Sequence, residues 1–369
     1  MNIGFDAKRA FLNFSGLGNY SRLLINSLSE LYKDNLYLLF TPKYKEHPLH
    51  NFVNNENCKI ITPNSIFSLL PSSLWRSYSI IQNIYQQKTD IFHGLSGELP
   101  FIKLNIPKVV TIHDLIFLRY PEYYAAWDRK MYEKKSKYAC KVADKIIAIS
   151  KQTADDCIKF LNADSKKIEI VYQSCDPIFF TYNKTDDNIR EKYQLPQKFI
   201  LSVGTIEERK NLLNLVHAMK FIDEDVSLVA IGRRTSYTNV VENFMKENNL
   251  EKRVILKHNV PFKDFPAIYA ASSAFVYPSV FEGFGIPVLE ALAVGTPVAT
   301  SNLSSMPEVG GEAALYFDPY NIEDMAQKIN LLLFDNEVVK QLNEKREKQL
   351  NKFSLNSVAK NVTEIYDSL

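Results

Sequence analysis

The chain has 369 residues, 46% of them hydrophobic and 23% charged, which is ordinary for a globular protein and long enough for two domains. Its 44 lysines and arginines against 42 aspartates and glutamates leave a net charge of +2, too balanced for a dedicated nucleic-acid binder. Glycine is scarce, at 12 residues, so each one marks a place where backbone geometry demands it.

Short apolar runs predict a first series of strands at Ile3–Asp6, Leu36–Phe40, Lys59–Thr62, Ile91–His93, Val109–Ile112, Lys145–Ile149 and Glu169–Tyr172. A second series is predicted at Phe199–Val203, Ser227–Ile231, Val254–Lys257, Ala274–Tyr277, Pro297–Thr300 and Ala314–Phe317. Amphipathic, helix-length segments lie between them, for example Gly18–Tyr32, Ser73–Gln86, Lys151–Leu161, Asn211–Met219, Phe262–Ala270 and Ile286–Val294. From Asn321 onward the pattern is helical. Alternating strands and helices predict an α/β chain with two doubly wound parallel sheets, separated by the polar stretch Asn183–Lys198. The N-terminus has no basic and apolar leader, and no apolar run approaches the ~18 residues of a membrane span, so a cytoplasmic location is expected. Cys58, Cys140, Cys157 and Cys175 are widely spaced and predict reduced thiols rather than a disulfide or metal framework.

Ligands of doubly wound sheets bind beyond the carboxyl ends of the strands. After the strand Phe199–Val203 comes Gly204-Thr205-Ile206-Glu207-Glu208-Arg209-Lys210-Asn211, where two adjacent cations suit a phosphate. After Ala274–Tyr277 comes a loop with Glu282, Gly283, Phe284 and Gly285, then a helix with Pro287 in its first turn and Glu290 one turn in. A helix N-terminus with open N–H groups favours a diphosphate, and carboxylates beside it suit sugar or ribose hydroxyls. No Asp-x-Asp metal motif follows a predicted strand, and Asp155-Asp156 reads as a solvated helix face. No G-x-G-x-x-G follows the first strand, which argues against a nicotinamide dehydrogenase.

The stretch from Glu282 to Val298, with its two glutamates eight positions apart, resembles the signature of the family-4 retaining glycosyltransferases with the GT-B fold. Gly204–Asn211 resembles their phosphate-binding segment, and Gly16-Leu17-Gly18 and Thr111-Ile112-His113-Asp114 resemble their N-terminal motifs, so the likeness runs in order along the chain. The resemblance implies two Rossmann-like domains facing across a cleft: an acceptor-side domain at 1–185, a nucleotide-sugar domain at 186–352, and a C-terminal helix at 353–369 packing back on the first. It implies that Lys210 and Arg209 neutralise the donor diphosphate, with Gly283, Phe284 and Gly285 contributing amides and Gly16 and Gly18 approaching from the other domain. Glu282 and His113 would lie by the transferred sugar, and Glu290 would hold the ribose hydroxyls. Arg233, His258, Asn259 and Val260 mark the expected nucleobase region; this stretch lacks the glycine common in relatives, as Thr205 replaces a common arginine.

The implied reaction is transfer of a hexose-type sugar from a GDP- or UDP-linked donor to a glycan or lipid-linked acceptor, with retention and without a metal or other cofactor. A sugar-nucleotide epimerase of the same fold, or an inactive nucleotide-sugar-binding protein, is the alternative. Cell-surface polysaccharide or glycolipid synthesis is the expected setting. Aromatic and basic residues mix in Ile66–Gln87 and in Arg119–Lys145, where Tyr123, Tyr124, Trp127 and Tyr132 neighbour six lysines and arginines. Such a helix either rests peripherally on an anionic membrane or packs its aromatics inward and solvates its charges.

Overall fold

The computed structural model describes residues 1–63, 71–183 and 188–369. It divides into two compact units, Met1–Ser174 with Phe353–Leu369, and Cys175–Lys352. The boundary placed at 185/186 from sequence, and residues Ile66 to Leu70 of the aromatic segment, lie outside the described residues.

The first unit is built on strands β1 (Asn2–Asp6), β2 (Leu36–Phe40), β3 (Cys58–Ile61), β4 (Ile91–Gly94), β5 (Lys108–Ile112), β6 (Lys145–Ala148) and β7 (Ile168–Ile170). They pair in parallel in the order β3-β2-β1-β4-β5-β6-β7. Both faces are covered, so the strands read as continuous apolar runs. Ile3 and Phe5 of β1 face one apolar layer, with Leu24, Ile25 and Leu28. Phe40 and Phe92 belong to the other layer, and a Cβ on Gly4 would come within 2.8 Å of the Phe40 ring. Gly4 therefore makes room for packing. The last helix, Leu355–Asp367, buries Val358, Ala359, Val362, Ile365 and Tyr366 along one stripe against the helix Gly16–Leu31.

The second unit carries β8 (Phe199–Val203), β9 (Ser227–Ile231), β10 (Val254–Lys257), β11 (Ala274–Tyr277), β12 (Val298–Ser301) and β13 (Ala314–Phe317), parallel in the order β10-β9-β8-β11-β12-β13. In each sheet the strand order reverses beside its first strand, between β1 and β4 and between β8 and β11. That reversal point is where doubly wound sheets bind ligands.

Three sequence expectations change. The segment predicted as one helix over Ser73–Gln86 contains a π-type turn at Trp75–Ser79, closed by Ile80 N–H on the Trp75 carbonyl. The widened turn accompanies full burial of Trp75 and near-full burial of Arg76, whose guanidinium reaches Asp6 at the end of β1. Asp156 is not part of a solvated face: it is fully buried and pairs with Arg119, while Gln152 donates to it at 3.0 Å. The helix predicted to start at Gly18 begins at Gly16, so both glycines lie in its first turn. A Cβ at Gly16 would meet open space, whereas one at Gly18 would collide with the Asn13 carbonyl oxygen at 1.8 Å.

Candidate active site

In the second unit the sequence-predicted residues fall in loops at the carboxyl ends of neighbouring strands. Arg209 and Lys210 follow β8, Arg233 follows β9, His258 to Val260 follow β10, and Glu282 to Gly285 follow β11. The β8 and β11 loops are tied together by Val280 N–H on the Arg209 carbonyl (3.0 Å) and by the Asn211 side-chain amide on the Pro278 carbonyl (3.2 Å). A third loop, after β12, holds the glycine segment. Ser304 Oγ donates to the Glu282 carbonyl at 2.6 Å, and Ser305 Oγ donates to the Phe284 carbonyl at 2.6 Å.

Glu282 is the centre of this cluster. Its Oε1 accepts from Lys210 Nζ (2.5 Å), Ser279 Oγ (2.6 Å), Arg209 (2.9 Å) and the Tyr277 hydroxyl (3.0 Å). Burial alone would raise its carboxyl, but the charges of Lys210 and Arg209 and the bonds from Lys210 and Ser279 outweigh it and hold the group down to about 2. Oε2 takes no hydrogen bond among the described residues. Lys210 Nζ also donates to Tyr277 OH at 2.8 Å, so one of its three N–H bonds remains. Burial lowers the Lys210 ammonium, against the pull of Glu282. Arg209 is anchored by Glu207 at 2.6 Å and by the Phe281 carbonyl. Two cations thus face two carboxylates, and the cluster carries no net charge of its own.

The helix Ile286–Val294 starts beside it. Gly285 caps the helix at φ +110°, a left-handed conformation that favours glycine, and Pro287 sits in the first turn. The N–H groups of Gly285 and Ile286 meet no acceptor among the described residues. The Phe284 side chain is buried, so only its backbone is offered to the loop. Glu290 lies on the inward face of the helix, with Tyr269 OH donating to Oε2 at 2.9 Å. Burial raises its carboxyl to about 7, and the Tyr269 bond opposes that rise. His258 Nδ1–H donates to the Gly232 carbonyl at 2.6 Å, Arg233 and Asn259 are exposed, and Val260 is half-buried. A side chain at Gly232 would collide with the Gly204 carbonyl at 1.8 Å, so this glycine lets the β8 and β9 loops touch.

In the first unit His113 follows β5. It is half-buried, its Nε2–H donates to the Leu95 carbonyl at 2.9 Å, and Tyr20 meets its ring edge-on at 4.6 Å. That bond leaves Nδ1 as an acceptor. Burial lowers the imidazole to about 4, with the nearby Arg9 charge adding to the effect and the Leu95 bond opposing it, so it is neutral near pH 7. His113 lines a cavity of about 240 Å³ at the ends of β4 and β5. Sequence reasoning missed Tyr277, Ser279, Ser304 and Ser305; the hydroxyl-rich run Ser301-Asn302-Leu303-Ser304-Ser305 directly after β12 was the available signal.

Two parallel sheets, each with a strand-order reversal and polar side chains at the carboxyl edge, define a two-unit, doubly wound α/β architecture of the ligand-binding type. Residues 14–178 match the family model described as Glycosyltransferase Family 4, and residues 185–349 match Glycosyl transferases group 1. The chain belongs to the family-4 glycosyltransferases of the GT-B fold. It is 32% identical over 249 residues to O-antigen chain mannosyltransferase B of Escherichia coli, covering 66% of this chain and 65% of that protein. It is 29% identical over 213 residues to O-antigen chain mannosyltransferase RfbU of Salmonella typhimurium, covering 58% and 57% respectively. The matched stretches thus span less than two thirds of these relatives. The fold is shared along the full length with Anabaena HepE, solved in complex with UDP-glucose, at a TM-score of 0.77 and 18% identity over 100% of both chains.

Proposed function

We propose that this chain is a retaining glycosyltransferase that moves a hexose, with mannose the first candidate, from a GDP- or UDP-linked sugar to a glycan or lipid-linked acceptor hydroxyl in cell-surface polysaccharide synthesis. The Lys210–Arg209–Glu282 cluster beside the open helix N-terminus carries this reading. In it, the diphosphate meets the remaining Lys210 N–H bond, Arg209 and the Gly285 and Ile286 amides, with the Gly283–Phe284 backbone beside it. These groups stabilise negative charge on the leaving phosphate as the C1–O bond breaks, without a metal. The acceptor oxygen bonds to C1 on the same face, and its proton passes to the leaving phosphate oxygen. A covalent Glu282 intermediate is disfavoured, because a carboxylate held near 2 by four donors is a weak nucleophile. Glu282 Oε2 accepts sugar hydroxyls, Glu290 accepts those of the ribose, and the Arg233 and His258–Val260 loops flank the base; in the first unit, His113 Nδ1 is the acceptor left for a sugar hydroxyl.

Titration and turnover with GDP-, UDP- and ADP-sugars, with and without chelator, test this. One base should bind preferentially, its sugar should transfer with retained anomeric configuration, and chelator should change nothing. Absence of turnover with every donor, or release of an epimer without acceptor, overturns the reading. The same titrations carry a pH expectation. A neutral Glu290 accepts hydroxyls poorly, so nucleotide affinity should rise with pH through about 7, and Glu290→Gln should flatten that rise. Stability runs the other way: the folded chain binds this proton more tightly than the unfolded chain, so the contribution present below about 4.5 is lost as pH rises through about 7.

Among the described residues no helix is long and apolar enough to cross a membrane. On the helix Ala126–Val142, however, Trp127 is 79% exposed and shares one outward face with Lys130, Met131 and Lys134. This mixed apolar and basic face supports peripheral binding to an anionic membrane, where a lipid-linked acceptor resides. Co-sedimentation with phosphatidylglycerol vesicles at low salt should be strong and should fall in Trp127→Ala; equal recovery of both proteins in the supernatant refutes membrane contact.

A further inference from the structure

The cavity that His113 lines is walled by Arg9, Leu17, Ser96, Gly97 and Glu98 and by the aromatic side chains of Phe117, Tyr124 and Tyr132. Two polar groups in it have no partner among the described residues. Arg9 Nε is buried without an acceptor, and so is the hydroxyl of Ser96. The terminal nitrogens of Arg9 make no hydrogen bond or ion pair among the described residues. The neighbouring carboxylates are already claimed. Asp6 accepts from Arg76 at 2.9 Å, and Glu98 Oε2 is held by Arg76 and by Lys135, each at 3.2 Å. Asp114, which also lines the cavity, accepts from Ile116 N–H at 3.2 Å, and Lys8, Arg9, Arg76 and Lys135 outnumber Asp6, Glu98 and Asp114 by four to three. Burial lowers the Lys8 ammonium, and the charges of Arg76 and Arg9 add to that effect.

A buried guanidinium nitrogen and a buried hydroxyl left unsatisfied are costly, and such groups are few in natural structures, where an ion, a ligand or a water is among the partners that complete them. Both are donors, and Arg9 brings a forked cation, the geometry that matches phosphate. We propose that Arg9 and Ser96 form a recognition site for a phosphate-class oxyanion in the His113 cavity, distinct in residues from the Lys210 cluster of the other unit. The cavity, at about 240 Å³, is below the ~300–1,000 Å³ typical of drug-sized ligands and holds a phosphate with at most one sugar ring against Tyr124 and Tyr132. The oxyanion belongs either to the donor diphosphate or to a phosphate carried by the acceptor. This assignment rests on the glycosyltransferase reading for its biological ligand, but the site itself does not.

The test uses the full chain and inorganic pyrophosphate. In a Lys210→Ala background, which removes the main cation of the other site, pyrophosphate should still bind and should raise the NMR-detected pKa of the His113 imidazole. Arg9→Gln should weaken that binding at least about tenfold and abolish the His113 shift, Ser96→Ala should weaken it less, and Arg9→Lys should retain part of it. Melting curves establish that each variant is folded, and Ser96→Ala together with Arg9→Lys decides the matter if Arg9→Gln does not fold. Undiminished pyrophosphate binding and an undiminished His113 shift in folded variants overturn the proposal. Steady-state kinetics then separate the sources: a KM rise for the nucleotide sugar assigns the donor phosphate, and a KM rise for a phosphorylated acceptor assigns the acceptor. A chain that transfers no sugar from any donor yet shows the Arg9-dependent His113 shift retains the anion site while losing the proposed activity.

Discussion

Lys210→Ala should reduce sugar transfer about 10²–10³-fold while the chain stays folded. Lys210 Nζ is the cation nearest the carboxylate centre, 2.5 Å from Glu282 Oε1 and 2.8 Å from Tyr277 OH. Removing it takes away one preorganised donor to the leaving phosphate. It also changes the resting site, because Glu282 then keeps only Arg209, Ser279 and Tyr277. Those three still satisfy the buried Oε1, which is why the fold should survive. The Glu282 carboxyl should rise from about 2, because the leading opponent of its desolvation is gone. The loss should appear in kcat at saturating donor, since the charge that Lys210 meets grows as the C1–O bond breaks. Lys210→Arg should recover only part of it, because a planar fork cannot reproduce a point donor wedged between a phenol and a carboxylate. A folded Lys210→Ala protein with near-normal turnover would remove Lys210 from the mechanism.

What the sequence could show of this site follows from which signals are local. Arg209, Lys210, Glu282 and Gly285 stand directly after predicted strands, and the parallel order of β8 and β11 brings their loops together at the reversal point. Most strand positions were legible because the inner strands, such as β1, β4, β5, β8, β11 and β12, are short runs buried on both faces. Gly285 was legible because its left-handed φ of +110° favours glycine. Gly16 has no packing reason, since nothing crowds it, and Gly4 was opaque because its reason is a ring from β2, 36 positions along the chain. Tyr277, Ser279, Ser304 and Ser305 escaped for the same cause: a tyrosine at a strand end and serines in a loop are ordinary locally. Only the fold sets them on one carboxylate and its backbone. Asp156 was misread because a helix pattern with adjacent aspartates gives no sign of the arginine arriving from residue 119.

Asp6→Ala should destabilise the first unit by about 3–5 kcal/mol, the usual cost of stranding one partner of a buried ion pair. Arg76 meets Asp6 with Nε at 3.1 and 2.9 Å from the two carboxylate oxygens and with a terminal nitrogen at 2.5 Å, and the two side chains are 5% and 8% exposed. Burial works against the Arg76 charge, but Asp6 and Glu98 outweigh it and hold the guanidinium above its ordinary value. Without Asp6 that cation stays buried with only Glu98 at 3.2 Å, and Glu98 is shared with Lys135. The π-type turn that carries Arg76 inward also carries the fully buried Trp75, so the pair and the turn stand or fall together. The chain has two tryptophans, Trp75 and Trp127, and both lie in the first unit, so tryptophan fluorescence in a urea titration reports that unit alone. The midpoint should fall sharply in Asp6→Ala and recover in the double variant Asp6→Leu, Arg76→Met, because replacing both charges by apolar side chains removes the desolvation cost along with the attraction. A single variant with an unchanged midpoint would mean that Glu98 alone satisfies Arg76. A double variant as weak as the single one would mean that the charge pair, rather than the volume it fills, shapes the segment after β1, where the short helix Lys8–Leu12 carries Arg9.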